Sequence, residues 1–193
     1  EGAVEAYKTS VAFASRADYI YAEGTSLTQF SFTLNAEENG YIVAKGEEAF
    51  SGAVELPDEY RGLPVVAIAE FGFEGCTGIT ELIVPSSIET IGRAAFRNCT
   101  GLASVEFRVN GANGVRTIGN NAFDVTSAGN DFLLSVAMPS TLRTIGEYVF
   151  QGRDKLSSII LNEGLTTIGN GLSLYGGSEP SGLKSLTIPS TVT

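Results

Sequence analysis

Two cysteines, Cys76 and Cys99, are the only thiols in the chain, and they stand 23 residues apart. Their spacing invites three readings. Strands stacked about 4.8 Å apart fall within the roughly 4.4–6.8 Å Cα separation of disulfides, so distance permits a bond. Direction opposes it, because equivalent side chains on stacked coils point the same way. A cysteine nucleophile would need a base, and the chain has no histidine. The simplest expectation is a pair of free thiols packed as small apolar residues.

Carboxylates offer the other chemistry. Glu81 and Glu106 read as stacked one coil apart. Glycoside hydrolysis with retention uses two carboxyls about 5–5.5 Å apart, which neighbouring rungs could supply. An open sheet, however, excludes no water, and there is no Trp to grip a sugar ring. Asp124, Asn130 and Asp131 fall in one loop and could give oxygen ligands to Ca²⁺, although loops of this composition usually serve as turns. Asn98-Cys99-Thr100 matches a glycosylation acceptor. The missing histidine also removes Ser-His-Asp triads and histidine-held zinc. Two thiols cannot build a four-thiolate cluster, and neither common Gly-rich phosphate loop is present. We expect no cofactor and no catalytic residues.

Charge narrows the partners. The net charge is −10. Residues 1–62 hold 11 acids against 4 bases, and residues 63–193 hold 11 against 8. Nucleic-acid binding needs clustered Lys and Arg to displace counterions, so it is not expected. Membrane insertion is not expected either, for want of a long apolar run. The chain opens on Glu1 rather than Met, which reads as a processed start with any signal peptide removed.

The elements that must position these residues repeat. Ile68, Ile91, Ile118, Ile145 and Ile168 recur at spacings of 23, 27, 27 and 23 residues. Four of them begin an Ile-Gly pair; the first is Ile68-Ala69. Extra residues near Asn110–Gly114, Asp124–Asp131 and Gly176–Ser181 fall at corners of the repeat and read as rim loops. Alternation in Leu102, Val105, Phe107 or Leu156, Ile159, Leu161 gives a strand with one buried face. The Gly after each Ile implies positive φ or close backbone approach. Pro85, Pro139 and Pro189 close the strand segments. Phe73, Phe96, Phe123 and Phe150 are expected to stack inside. No coil can bury its apolar side alone, so stacking must make the core continuous.

This pattern resembles the BspA-like family of leucine-rich repeats, first associated with Treponema and Bacteroides surface proteins. The resemblance covers roughly residues 46–193 and rests on I-G-x-x-A-F-x-x-C-x-x-L-x-x-[VIL]-x-[IVF]-P. Leu172-Ser173 replaces Ala-Phe in the last coil, and Cys occurs only in the first two. The expected architecture is mainly β: a leucine-rich-repeat solenoid of about five coils over residues 63–193, with a β cap over 27–62. In the cap, a hairpin joins Phe30–Leu34 to Tyr41–Val43 through Asn39-Gly40. Residues 1–26 read as a short helix or a tail.

The outward strand face carries the candidate ligand-binding residues: Glu81, Ile83, Ser104, Glu106, Arg108, Leu134, Ser135, Ser158, Ile160 and Lys184. Ser104, Ser135, Ser158 and Ser185 would form a hydroxyl ladder, with Ile83, Leu134 and Ile160 as apolar contacts. A solvated, ligand-free face is the competing reading. Arg116 and Arg143, with Glu89 one coil earlier, read as a surface charge ladder. The resemblance implies an extracellular or surface-bound bacterial module that adheres to a protein partner, such as a host surface or matrix protein. The alternatives are a structural spacer and, more remotely, a glycan-binding or carbohydrate-active accessory module. Val192 stands one step before the next expected Ile-Gly, so end-to-end or edge association through an open last coil is also expected.

Overall fold

The computed structural model describes residues 29–126, 131–172 and 183–193. The segment 1–26 and the Gly176–Ser181 insertion lie outside them.

Each coil has three sides, and two of them are tied to the next coil by backbone bonds along the whole stack. The first is a corner sheet built on the repeating Thr-Ile or Ala-Ile pair. It joins β5 (Leu63–Ile68), β7 (Thr90–Ile91), β9 (Thr117–Ile118), β11 (Thr144–Ile145) and β13 (Thr167–Ile168) in parallel. Ile68, Ile91, Ile118, Ile145 and Ile168 pair rung to rung. The second side is a turn ladder: Phe73 N–H donates to Ala95 O, Phe96 N–H to Ala122 O, Phe123 N–H to Val149 O and Phe150 N–H to Leu172 O. The third is the outer strand face.

Side-chain size fixes the interior. Phe73, Phe96, Phe123 and Phe150 are fully buried and stack at 5.2, 5.3 and 5.5 Å between centroids, within 11° of parallel. Phe30 and Phe50 extend the column with tilted rings.

The recurrent glycine serves close approach. A Cβ on Gly119 would sit 2.7 Å from Arg93 N, and one on Gly169 2.5 Å from the Gly146 carbonyl carbon. Positive φ lies two residues further on, at Phe71, Ala94, Asn121, Tyr148 and Gly171. The left-handed corner is therefore held mostly by non-glycine residues.

At the N-terminal end, β1 (Phe30–Leu34) and β2 (Tyr41–Lys45) form the antiparallel hairpin. Its loop is pinned by the Asn35 side chain, which accepts from Asn39 N–H and Gly40 N–H. β2 then pairs in parallel with β5, which makes the hairpin the first rung of the corner sheet. Phe32 stacks on Tyr60 of β4 (Glu59–Tyr60) at 4.0 Å. No α-helix occurs among the described residues.

The outer face is not one sheet. β3 (Gly52–Glu55), β6 (Ile79–Val84) and β8 (Ser104–Phe107) form one three-stranded sheet. β10 (Ser135–Ala137), β12 (Ser158–Ile160) and β14 (Ser185–Leu186) form another. No ladder joins β8 to β10. The Asn110–Gly114 and Asp124–Asp131 insertions fall on either side of this break.

Candidate functional site

On the first outer sheet the register is Glu81 beside Ser104 and Ile83 beside Glu106. This corrects the expected stacking of Glu81 on Glu106. The two glutamates are two residues out of step, because side chains on one face repeat every second residue. The backbones of such diagonal neighbours sit roughly 7–8 Å apart, rather than the single-rung spacing of about 4.8 Å. Both are exposed, and Glu106 accepts from Arg108 Nε at 3.3 Å.

Ile83 has charged neighbours on its rung. It is half-buried, in a row between Glu55 and Glu106. Arg108 bonds to both flanking carboxylates, so its guanidinium spans the row. These bonds hold Arg108 further toward its charged form. The hydroxyl row is likewise interrupted. Ser135 pairs with Ser158, and Ser158 with Ser185 in backbone register, while Ser104 belongs to the other sheet.

The second outer sheet differs in chemistry. Leu134 is 59% exposed and Ile160 55%. Phe132 and Ile188 are exposed as well. Lys155 Nζ lies 5.2 Å from the Phe132 ring centroid. Lys184 N–H donates to Ser157 O and Ser157 N–H to Leu134 O, which puts Leu134, Ser157 and Lys184 in one row.

Beneath the break lies a residue that sequence reasoning passed over. Arg153 is fully buried. Its Nη1 meets Asp131 Oδ1 at 2.8 Å, its Nε donates to Phe123 O and its Nη2 to Cys99 O. One side chain thus ties three coils together. The signal was its position, third after Phe150, where Cys76 follows Phe73 and Cys99 follows Phe96. Asp131, read as a possible Ca²⁺ ligand, is committed to Arg153. Asn130 lies outside the described residues. Asp124 is buried, and one of its oxygens has no partner among the described residues. Burial pushes its pKa up against the pull of Asn121 and Arg97. No cluster of three or more metal-ligating side chains occurs among the described residues.

Both cysteines are free thiols. Burial pushes Cys99 up to about 12, and its Sγ donates to Phe73 O at 3.1 Å. Cys76 is only partly buried and is raised for the same reason. Asn98, in the glycosylation pattern, accepts from the Thr126 N–H and hydroxyl. Arg116 reaches Glu89 at 3.9 Å, while Arg143 donates to the Ser140 and Leu142 carbonyls.

Residues 66–193 match the model of the BspA type leucine rich repeat region in 6 copies. Among solved structures, a leucine rich cell surface protein from Faecalibacterium prausnitzii is 23% identical, with a TM-score of 0.56, over 90% of this chain and 49% of that one. A leucine rich repeat protein of T. pallidum is 24% identical, with a TM-score of 0.50, over 77% and 86%. The pneumococcal vaccine antigen PcpA is 16% identical, with a TM-score of 0.54, over 76% and 47%. At these identities the likeness is one of fold. Comparison with curated proteins finds no match. No helix among the described residues is long and apolar enough to cross a membrane.

Proposed function

Because the chain belongs to the BspA type leucine rich repeat family, we propose that it is a non-catalytic recognition module of a bacterial surface or secreted protein. It engages a protein partner, such as a host surface or matrix protein, through its outer strand face. One observation carries this reading: Leu134 and Ile160 stand out from an ordered sheet at 59% and 55% exposure. Leu134 lies just before β10 and Ile160 on the neighbouring β12, and large apolar side chains exposed this close together are a common mark of interaction surfaces. The surface setting draws support from the Faecalibacterium relative, which is described as a cell surface protein.

The test is a pull-down against extracellular-matrix and epithelial surface proteins, run beside the Leu134→Ser/Ile160→Ser variant. Specific capture that the variant loses supports the reading. Capture that is equal with both proteins, or absent with both, removes it. The Glu55–Arg108–Glu106 bridge favours a second reading, in which the chain is a spacer within a longer surface protein. A spacer predicts that no strand-face substitution alters any binding.

A further inference from the structure

The break between β8 and β10 divides the outer face into two surfaces of unlike chemistry. On the N-terminal sheet, polar groups satisfy one another. Arg108 joins Glu55 to Glu106 across the Ile83 row, and the nearby Glu81 adds a further negative charge. A partner docking there would have to displace an existing ion-pair bridge. The C-terminal sheet has no such bridge among its described residues. Its exposed side chains include the apolar Leu134, Ala137 and Ile160 on or beside the strands, with Phe132 before them and Ile188 after β14, interspersed with Ser135, Lys184 and Thr187.

The charges around this second surface are asymmetric. Lys155 lies against Phe132, and Lys184 ends the Leu134–Ser157 row. Among the described carboxylates of the same half, Asp131 is paired inside with Arg153, Glu147 accepts from Asn170 on the corner side, and the exposed Glu163 accepts from Ser190 at the far end of the surface. Asp154 is exposed, but at the turn before β12 rather than on the strand. In a chain of net charge −10, the Phe132–Leu134 end of this surface is bordered by two lysines.

Resting on the strand-face reading above, we infer that docking uses the C-terminal sheet alone, and that its occupant is a protein segment carrying apolar side chains flanked by carboxylates. Two arguments select that chemistry. Leu134, Ile160 and Ile188 gain only by meeting apolar surface. Complementary charge then fixes orientation and excludes basic partners. A glycan fits less well, since the one aromatic ring here among the described residues, Phe132, already has a lysine against it.

The experiment uses the full chain and four immobilised synthetic peptides: Leu/Phe with Glu flanks, Leu/Phe with Lys flanks, Leu/Phe with Ser flanks, and Glu/Ser without apolar residues. Each is tested with the wild type and with Leu134→Ser/Ile160→Ser, Lys155→Glu/Lys184→Glu and Glu81→Lys/Glu106→Lys. Thermal melting establishes that these surface variants fold. The expected result is preference for the acidic-flanked apolar peptide. Affinity falls at least about tenfold in the Leu134/Ile160 variant, in line with losing contacts worth about 1.4 kcal/mol or more. The lysine variant prefers the basic-flanked peptide, and the glutamate variant binds as wild type. Binding lost only in the glutamate variant overturns the inference and leaves the strand-face reading standing. No peptide binding, or binding indifferent to all three variants, overturns both. Binding of anionic oligosaccharides that the Leu134/Ile160 variant loses overturns the assigned partner class.

Discussion

Arg153 fills the slot that Cys76 and Cys99 occupy in earlier coils, and the exchange has energetic consequences. A buried guanidinium is tolerable only while its charge and donors are met, and Asp131 with two carbonyls meets them. Arg153→Met should cost about 3–5 kcal/mol by leaving the buried Asp131 carboxylate without its counter-charge, read as a fall in urea midpoint. Adding Asp131→Leu should recover much of the loss. Asp124 makes a pH prediction. Its folded pKa is raised by burial, so its contribution is fully present below the unfolded value and is lost as pH rises through the folded one. Asp124→Asn should therefore match wild type near pH 3.5 and gain on it toward pH 7, about the span over which a carboxylate with a raised pKa ionises, in urea titrations across that range. The thiols should differ in reactivity, because the thiolate is the species that reacts. In the native chain at mildly alkaline pH, Cys76 should alkylate slowly and Cys99 only on unfolding, as mass spectrometry of the labelled peptides would show. Neither Arg153 nor the charge on Asp124 looked internal in the sequence. Arg in Gln151-Gly152-Arg153-Asp154-Lys155 has the composition of a solvated turn, and only its alignment with the cysteines marks it as inward.

At the level of the repeating element, what stacks was legible. The phenylalanine column and the isoleucine rungs follow from spacing, because a repeated position on a solenoid must meet its own copy in the next coil. Phe96→Ala should cost about 3–5 kcal/mol, since its ring is sandwiched between Phe73 and Phe123; an unchanged denaturation midpoint would show that the column does not bear on stability. The glycine after each isoleucine was readable as special but not in which way. Coordinates resolve it as backbone packed on backbone. The left-handed residue two steps on was hidden, because Phe71, Ala94, Asn121, Tyr148 and Gly171 share no side-chain type. The pairing of Glu81 with Ser104 was missed for a simpler reason: strand register moves in single residues, and two glutamates in neighbouring repeats need not share a rung.

Across the whole molecule, the repeat foretold a continuous outer face, and the chain instead makes two. Insertion lengths at 110–114 and 124–131 were visible, but length alone does not say whether the strands beyond a loop resume their pairing. Near the break, the coils remain joined by the corner strands, by the turn ladder and by Arg153 underneath. That arrangement has a mechanical meaning. A module pulled along its axis bears load through every bond that crosses each layer, and the layer between β8 and β10 has lost the share of its outer strands. The corner and the arginine must carry the difference on one side, so tension there becomes bending. Stretching the molecule from its ends should therefore open this layer's outer side first, before any paired strands part.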